Sequence, residues 1–172
     1  MTPATGQYVV MGVSGCGKSS VASMLATRTD AVFLDADDFH PEANRAKMAA
    51  GNPLNDDDRW PWLEVLNRTL AEHAAAGRAV FLSCSALKQV YRERLAAGLP
   101  RLRFIYLKGS KELILDRMSK REGHFMPTKL LDSQFATLEE PTDAIIVSIH
   151  EPLPLVVDSA LQQISQADRS ST

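Results

Sequence analysis

Cysteine is scarce in this chain. Its 172 residues contain two, Cys16 and Cys84, and these form no C-x-x-C pair. That spacing argues against a zinc site, and two thiols make no disulfide framework. Each cysteine falls at the end of an expected core strand or in the loop after it, so a bridge is geometrically conceivable. Reduced, inert thiols are nevertheless the expectation for a cytoplasmic protein. Positive charge is not in excess either: 19 Lys and Arg stand against 21 Asp and Glu, a formal net charge of −2. A phosphate backbone needs a basic footprint, so nucleic acid is not the expected partner. No stretch approaches the roughly 18 apolar residues of a membrane helix. Residues 1–6 have neither a basic start nor an apolar run, so no secretory signal is expected. There are no internal repeats, and no linker divides the chain. Nor is there an N-K-x-D guanine signature or a D-x-x-G switch pattern. The expectation is one cytoplasmic domain, residues 1–172, with a core over 7–165 and a polar, fraying tail over 166–172.

Against those absences stands one dense motif, Gly12-Val13-Ser14-Gly15-Cys16-Gly17-Lys18-Ser19, the G-x-x-x-x-G-K-S phosphate-binding pattern. Gln7 to Met11 before it is short, apolar and β-prone, as a buried parallel strand should be. After it, Val21, Met24 and Leu25 recur at i, i+3, i+4, which gives a helix one apolar face. Glycine lets the backbone turn tightly and bring N–H groups to an anion, and the helix start adds unsatisfied donors and a positive dipole end. Lys18 can reach the β- and γ-phosphates, and the Ser19 hydroxyl can ligate Mg²⁺. Gly12 to Ser19, with Ser20, are therefore the candidate residues for binding a nucleoside triphosphate.

Short apolar runs alternate with amphipathic stretches, the pattern of βαβ units and a parallel sheet. Strands are expected at 7–11, 31–35, 79–84, 103–107 and 145–149. Helices are expected at about 18–28, 41–50, 56–76, 87–97, 110–121, 128–139 and 153–165. Gly51, Gly77 and Gly98 are plausible helix stops.

In such a sheet, ligands bind beyond the carboxyl ends of the strands. After the second strand, Asp35 and Asp37 stand at i, i+2, on the same side of an extended segment. One can orient a metal-bound water, and the other can accept the proton of an attacking hydroxyl. Asp35 takes the metal role because the usual strand-end Asp is missing after the third strand. His40, beside Asp37, is a candidate substrate contact. Asp56, Asp57 and Asp58 suit a helix start, but Arg59 opposes the dipole there, so it is expected to hold an acidic substrate bidentately. After the third strand, Ser85 and Ala86 permit close backbone approach. Lys88 and Arg92, four apart on one helix face, make sense with an anion between them. Arg117 and Arg121, also four apart, run into a Gly- and Pro-bounded segment. They read as a lid over about 119–129 that brings arginines onto the triphosphate.

Taken together, these motifs resemble the bacterial gluconokinases of the thermoresistant, phosphate-loop type. The resemblance is carried by Met11 to Ser19, Asp35-Ala36-Asp37-Asp38-Phe39-His40-Pro41, Asn44 to Met48, and Gly51-x-Pro53-Leu54-Asn55-Asp56-Asp57-Asp58-Arg59. Cys84-Ser85-Ala86-Leu87-Lys88, Gly123-His124-Phe125 and Gln134-Phe135 to Glu139 complete it. It runs from about residue 8 to 164. It implies a P-loop kinase fold, a three-layer αβα sandwich with a five-stranded parallel sheet and a small lid, often dimeric. The implied reaction is transfer from MgATP to D-gluconate, giving 6-phosphogluconate. By position it implies Asp37 as base or orienter for the C6 hydroxyl, with His40, Arg59 and the Ser85 to Lys88 turn around gluconate. Lid arginines match at Arg117 and Arg121. Cys16 stands where Ser is usual, and Ala36 where Gly is frequent. The alternatives from the residues alone are a shikimate-type or other small-metabolite or nucleotide kinase, or a non-catalytic nucleotide switch.

Overall fold

The computed structural model describes residues 6–52, 54–119 and 128–170. The elements in chain order are β1 (Gln7–Met11), α1 (Lys18–Thr29), β2 (Val32–Asp35), a 3₁₀ turn (Ala36–Phe39), α2 (Glu42–Ala49) and α3 (Asp56–Ala75). Then follow β3 (Val80–Ser83), α4 (Gln89–Ala96), β4 (Arg103–Lys108), α5 (Lys111–Ser119), α6 (Thr128–Thr137), β5 (Ile145–Ser148) and α7 (Leu153–Ser170). All five strands pair in parallel in the order β2-β3-β1-β4-β5. Among the described residues, no helix is long and apolar enough to cross a membrane.

β1 is central and buried along its whole length, which is why it is an unbroken apolar run. Alternate residues serve opposite faces. Tyr8 and Val10 join Phe81, Ile105 and Leu107 in a core with Val21 and Leu25 of α1 and Val156, Val157 and Ala160 of α7. Val9 and Met11 join Val80, Leu82 and Tyr106 in a second core with Leu63, Leu66 and Leu70 of α3 and Leu95 of α4. Helix, sheet and helix thus form three layers, and every β-to-helix turn opens on the same edge.

The elements depart from the sequence expectation in three places. Residues 36–39 are not extended: Asp35 ends β2 and its Oδ1 accepts the Asp37 N–H at 3.0 Å, capping a 3₁₀ turn. α4 starts two residues late, because Ala86 adopts a left-handed φ of 46° and Lys88 is the N-cap. The tail expected to fray at Gln166 continues α7 to Ser170. Gly51, Gly77 and Gly98 do end helices, with φ of 82°, 71° and 73°. The expected lid, including Arg121, falls largely on residues outside those described.

Candidate active site

The phosphate loop is built so that only glycine fits its first position. A Cβ on Gly12 (φ 152°) would come within 2.7 Å of Cys16 Sγ and 3.1 Å of the Leu107 carbonyl. Gly17 (φ 90°) is the N-cap of α1, supplies no side-chain cap, and is followed by no acidic residue in the first turn. The amide donors at this helix start are left for an anion, with Lys18 beside them. Two features reinforce the loop from distant parts of the chain. Gly12 N–H donates to the Ser85 carbonyl at 3.3 Å, tying the loop to the β3–α4 turn. Gln134 of α6 grips Ser14 twice: its Oε1 accepts the Ser14 N–H at 2.6 Å and its Nε2 donates to Ser14 Oγ at 2.8 Å.

Two cavities meet at this loop. The first, about 210 Å³, lies outside it, against Gly15, Gly17 and Ser20, with Met118, Ile149 and Val156 making it apolar. Arg117 borders it, and its Nη2 donates to the carbonyls of His150 and Glu151 at 3.1 and 3.2 Å. The structure therefore sets Arg117 on the side wall of this apolar cavity and not among the residues of the second.

The second cavity, about 540 Å³, holds most of the charged candidates. Ser14, Lys18 and Ser19 form one end of it, Asp35, Asp37 and His40 one wall, and Arg59 and Trp62 another, with Ser83 to Ser85 beneath. Strand register explains the first grouping: Asp35 lies opposite Ser83 in the β2–β3 ladder. Ser19 Oγ reaches Asp35 Oδ2 at 3.4 Å and Ser83 Oγ at 3.1 Å. This set of oxygens suits a hard cation that also takes phosphate and water ligands. Among the described residues, no group of three or more His, Cys, Asp or Glu makes a metal cage of its own. Ser83, at the place where an aspartate is usual, was not singled out from sequence.

His40 has a nearly buried side chain, stacked on Trp62 with ring centroids 4.2 Å apart, and its Nε2 is 4.0 Å from Asp37 Oδ1. Burial lowers its pKa, and Arg45 and Arg59 add to that against the opposing pull of Asp37. Trp62 is fixed by donating its Nε1–H to the Ala36 carbonyl at 2.8 Å.

The three aspartates at the α3 start do more than compensate a dipole. Asn55 and Asp58 form a capping box, with Asn55 Oδ1 accepting the Asp58 N–H and Asp58 Oδ2 accepting the Asn55 N–H. Asp58 also pairs with Lys47 at 2.6 Å. Asp56 accepts the Tyr91 hydroxyl at 2.5 Å and pairs with Arg59 at 3.4 Å and Lys88 at 3.5 Å. The Tyr91 hydrogen bond, with the cations of Lys88 and Arg59 behind it, holds the Asp56 carboxyl below its ordinary range. Arg59 also donates to Tyr91 Oη at 3.2 Å.

Three expected substrate contacts have protein partners in the structure. Arg92 is 3 % exposed and faces the protein: Nη1 donates to the Ala86 carbonyl and Nη2 to the Glu139 carbonyl, both at 2.7 Å. The like-charge argument placed Lys88 and Arg92 in one helix, but Lys88 precedes α4 as its N-cap while Arg92 turns inward. Lys88 pairs with Asp56 and lies over the Tyr91 ring, outside the cavity wall. Ala86 is buried, with its carbonyl engaged by Arg92. The cysteines are buried free thiols, and burial raises the pKa of both, Cys84 to about 12.

A family profile described as an AAA domain matches residues 8–141. The chain is 48% identical over 163 residues to the thermoresistant gluconokinase of Escherichia coli K12, covering 92% of this chain and 93% of that one. The chain belongs to the gluconokinase family. A gluconokinase of Gluconobacter oxydans is 50% identical over 135 residues, covering 78% of this chain and 76% of its own. The crystal structure of a gluconokinase from Sinorhizobium meliloti superposes with a TM-score of 0.88 at 41% identity, covering 98% of this chain and 96% of that one.

Proposed function

We propose that this protein is an ATP-dependent gluconate kinase, which transfers the γ-phosphate of ATP to the C6 hydroxyl of D-gluconate, giving 6-phospho-D-gluconate and ADP. The observation that carries the reading is the second cavity. It joins Lys18 and Ser19, at the phosphate end, to Asp37 and Arg59 in its walls. A sugar acid needs both ends: a cation for its carboxylate and an acceptor for its hydroxyl proton.

In this reading Gly12 to Ser20 hold the triphosphate, and the apolar cavity beside Gly15 and Arg117 takes the base. Arg59 binds the gluconate carboxylate, with His40 and Ser85 around the sugar chain. Asp37 accepts or orients the C6 hydroxyl proton in an in-line attack, and Lys18 draws charge from the transferring group. Ser19 and Asp35 would hold Mg²⁺, which neutralises charge on the β- and γ-phosphate oxygens. A lid over about 119–129, carrying Arg121 and entered from Arg117 at the end of α5, excludes water once both substrates are bound. The protein is further read as one kinase domain with its core over 7–165, working in the cytoplasm as a homodimer without nucleic acid or membrane partners.

The test is a panel of acceptors in an ADP-release assay: gluconate, related sugar acids, shikimate and nucleoside monophosphates. Gluconate-dependent turnover, on the order of 1–100 s⁻¹ for a kinase, is the expected result. Preference for shikimate or a nucleotide, or ADP release indifferent to every acceptor, refutes the reading.

A further inference from the structure

One buried polar side chain beside the cavity has no part in the reaction as described so far. Asn44, on α2, is 4 % exposed. Its Nδ2 makes two contacts, 2.9 Å to the Asp58 carbonyl and 3.2 Å to His40 Nδ1. A backbone carbonyl only accepts, so the atom facing Asp58 is the amide nitrogen and not the oxygen. That nitrogen carries two hydrogens and no acceptor capacity. Its second hydrogen points at His40 Nδ1, which must therefore be the unprotonated ring nitrogen.

We propose that Asn44 is a positioning residue that fixes His40 as the neutral Nε2–H tautomer, so that the ring presents a hydrogen-bond donor to the cavity beside Asp37. The consequence is a complementary pair. Asp37 only accepts a hydrogen bond and His40 Nε2 only donates one, 4.0 Å apart. A hydroxyl oxygen is the group that satisfies both at once, since it gives one hydrogen and takes another. A carbonyl or an amine satisfies one of the two. The wall thereby selects a polyol end at the place where the reading above puts the acceptor hydroxyl, and this functional step rests on that reading.

The arrangement is rigid. The His40 ring is stacked on Trp62, which is itself held by the Ala36 carbonyl. Asp58, whose carbonyl orients Asn44, is locked by the capping box and by Lys47. The charged groups facing His40 are Asp37 from the 3₁₀ turn, Arg45 from α2 and Arg59 from α3. Burial first, with Arg45 and Arg59 adding to it and Asp37 opposing, disfavours the imidazolium, in keeping with a ring that stays neutral.

The decisive experiment is NMR of the full chain labelled with ¹⁵N at its four histidines, with His40 assigned through H40Q. In the unmodified protein at neutral pH, His40 should show a protonated Nε2 and an unprotonated Nδ1. Asn44→Asp places a carboxylate oxygen against Nδ1 and should move the proton there. A protonated Nδ1 or an imidazolium in the unmodified protein overturns the proposal, as does a tautomer unchanged in a folded N44D. The measurement on the unmodified protein does not depend on N44D folding. In kinetics, N44D should raise KM for gluconate roughly tenfold, the order of one lost hydrogen bond with its unpaired partner, and leave KM for ATP unchanged. Equal changes in both would make Asn44 merely structural. The spectra are taken without substrate, so the tautomer stands or falls separately from the gluconate assignment.

Discussion

Arg92→Ala separates a structural arginine from a substrate-binding one. In the structure the Arg92 guanidinium donates to two carbonyls, Ala86 and Glu139, both at 2.7 Å, and also to Gln89 Oε1 at 3.1 Å. Ala86 is the one residue of the β3–α4 turn with a left-handed φ, so its carbonyl is held where a relaxed chain would not put it. Truncation to alanine removes both donors from the buried Ala86 carbonyl and the part-buried Glu139 carbonyl. Each unsatisfied group costs about 1–3 kcal/mol. The middle of the combined range, about 4 kcal/mol, is a large fraction of a typical 5–15 kcal/mol stability. For a chain of this size it lowers Tm by about 8–16 °C. Arg92→Lys keeps the charge but offers a point donor where a fork is needed, so it should recover only part of the loss. The assay is thermal unfolding of the three proteins, alongside KM for gluconate measured well below the lowest Tm. If Arg92→Ala melts within a degree of the unmodified protein yet loses gluconate binding, the guanidinium is a substrate ligand and the packing argument is wrong.

Other substitutions test the cavity. Arg59→Ala should raise KM for gluconate by about 10- to 100-fold, the worth of a charged hydrogen bond, and leave KM for ATP nearly unchanged; a matching rise in both would remove Arg59 from the carboxylate role. Lys18→Ala and Asp37→Asn should each lower kcat strongly with the fold intact by circular dichroism, and a near-normal kcat in D37N would take Asp37 out of the chemistry. The Asp56 carboxyl titrates below its ordinary range chiefly because Tyr91 donates to it. A depressed carboxyl stabilises the fold above its unfolded pKa, and that contribution disappears as pH falls through the folded value. The Tm gap between the unmodified protein and Tyr91→Phe should therefore be widest near neutrality and narrow on acidification; a gap independent of pH would mean that Tyr91 contributes by packing alone.

What was legible in the sequence was whatever depends on near neighbours. The phosphate loop declares itself because strand, glycines and helix are contiguous, and the five strands stand out because buried parallel strands are continuous apolar runs. Arg59 was found by the same kind of local argument, as a cation placed against a helix dipole. The failures share the opposite cause. The inward turn of Arg92 is not legible because Ala86 takes a left-handed φ, which delays α4 and puts Lys88 outside the helix; nothing about an alanine announces that. The 3₁₀ turn after β2 follows from one Asp35 oxygen capping Asp37, a choice the chain makes once Asp35 is anchored in the sheet. Ser83 acquires its place from strand register, opposite Asp35 and within reach of Ser19. Gln134 grips Ser14 across 120 residues. Periodicity carries no information at that separation, so the Gln134 contact was visible in sequence only as part of a resemblance. The strand–loop–helix frame of the phosphate loop is thus written locally, while the contacts that brace it and most of the second cavity are assembled by the fold from residues that look ordinary one at a time. Asn44 is the sharpest instance: a buried amide on a short helix, whose meaning lies in the single proton it assigns to the ring beside it.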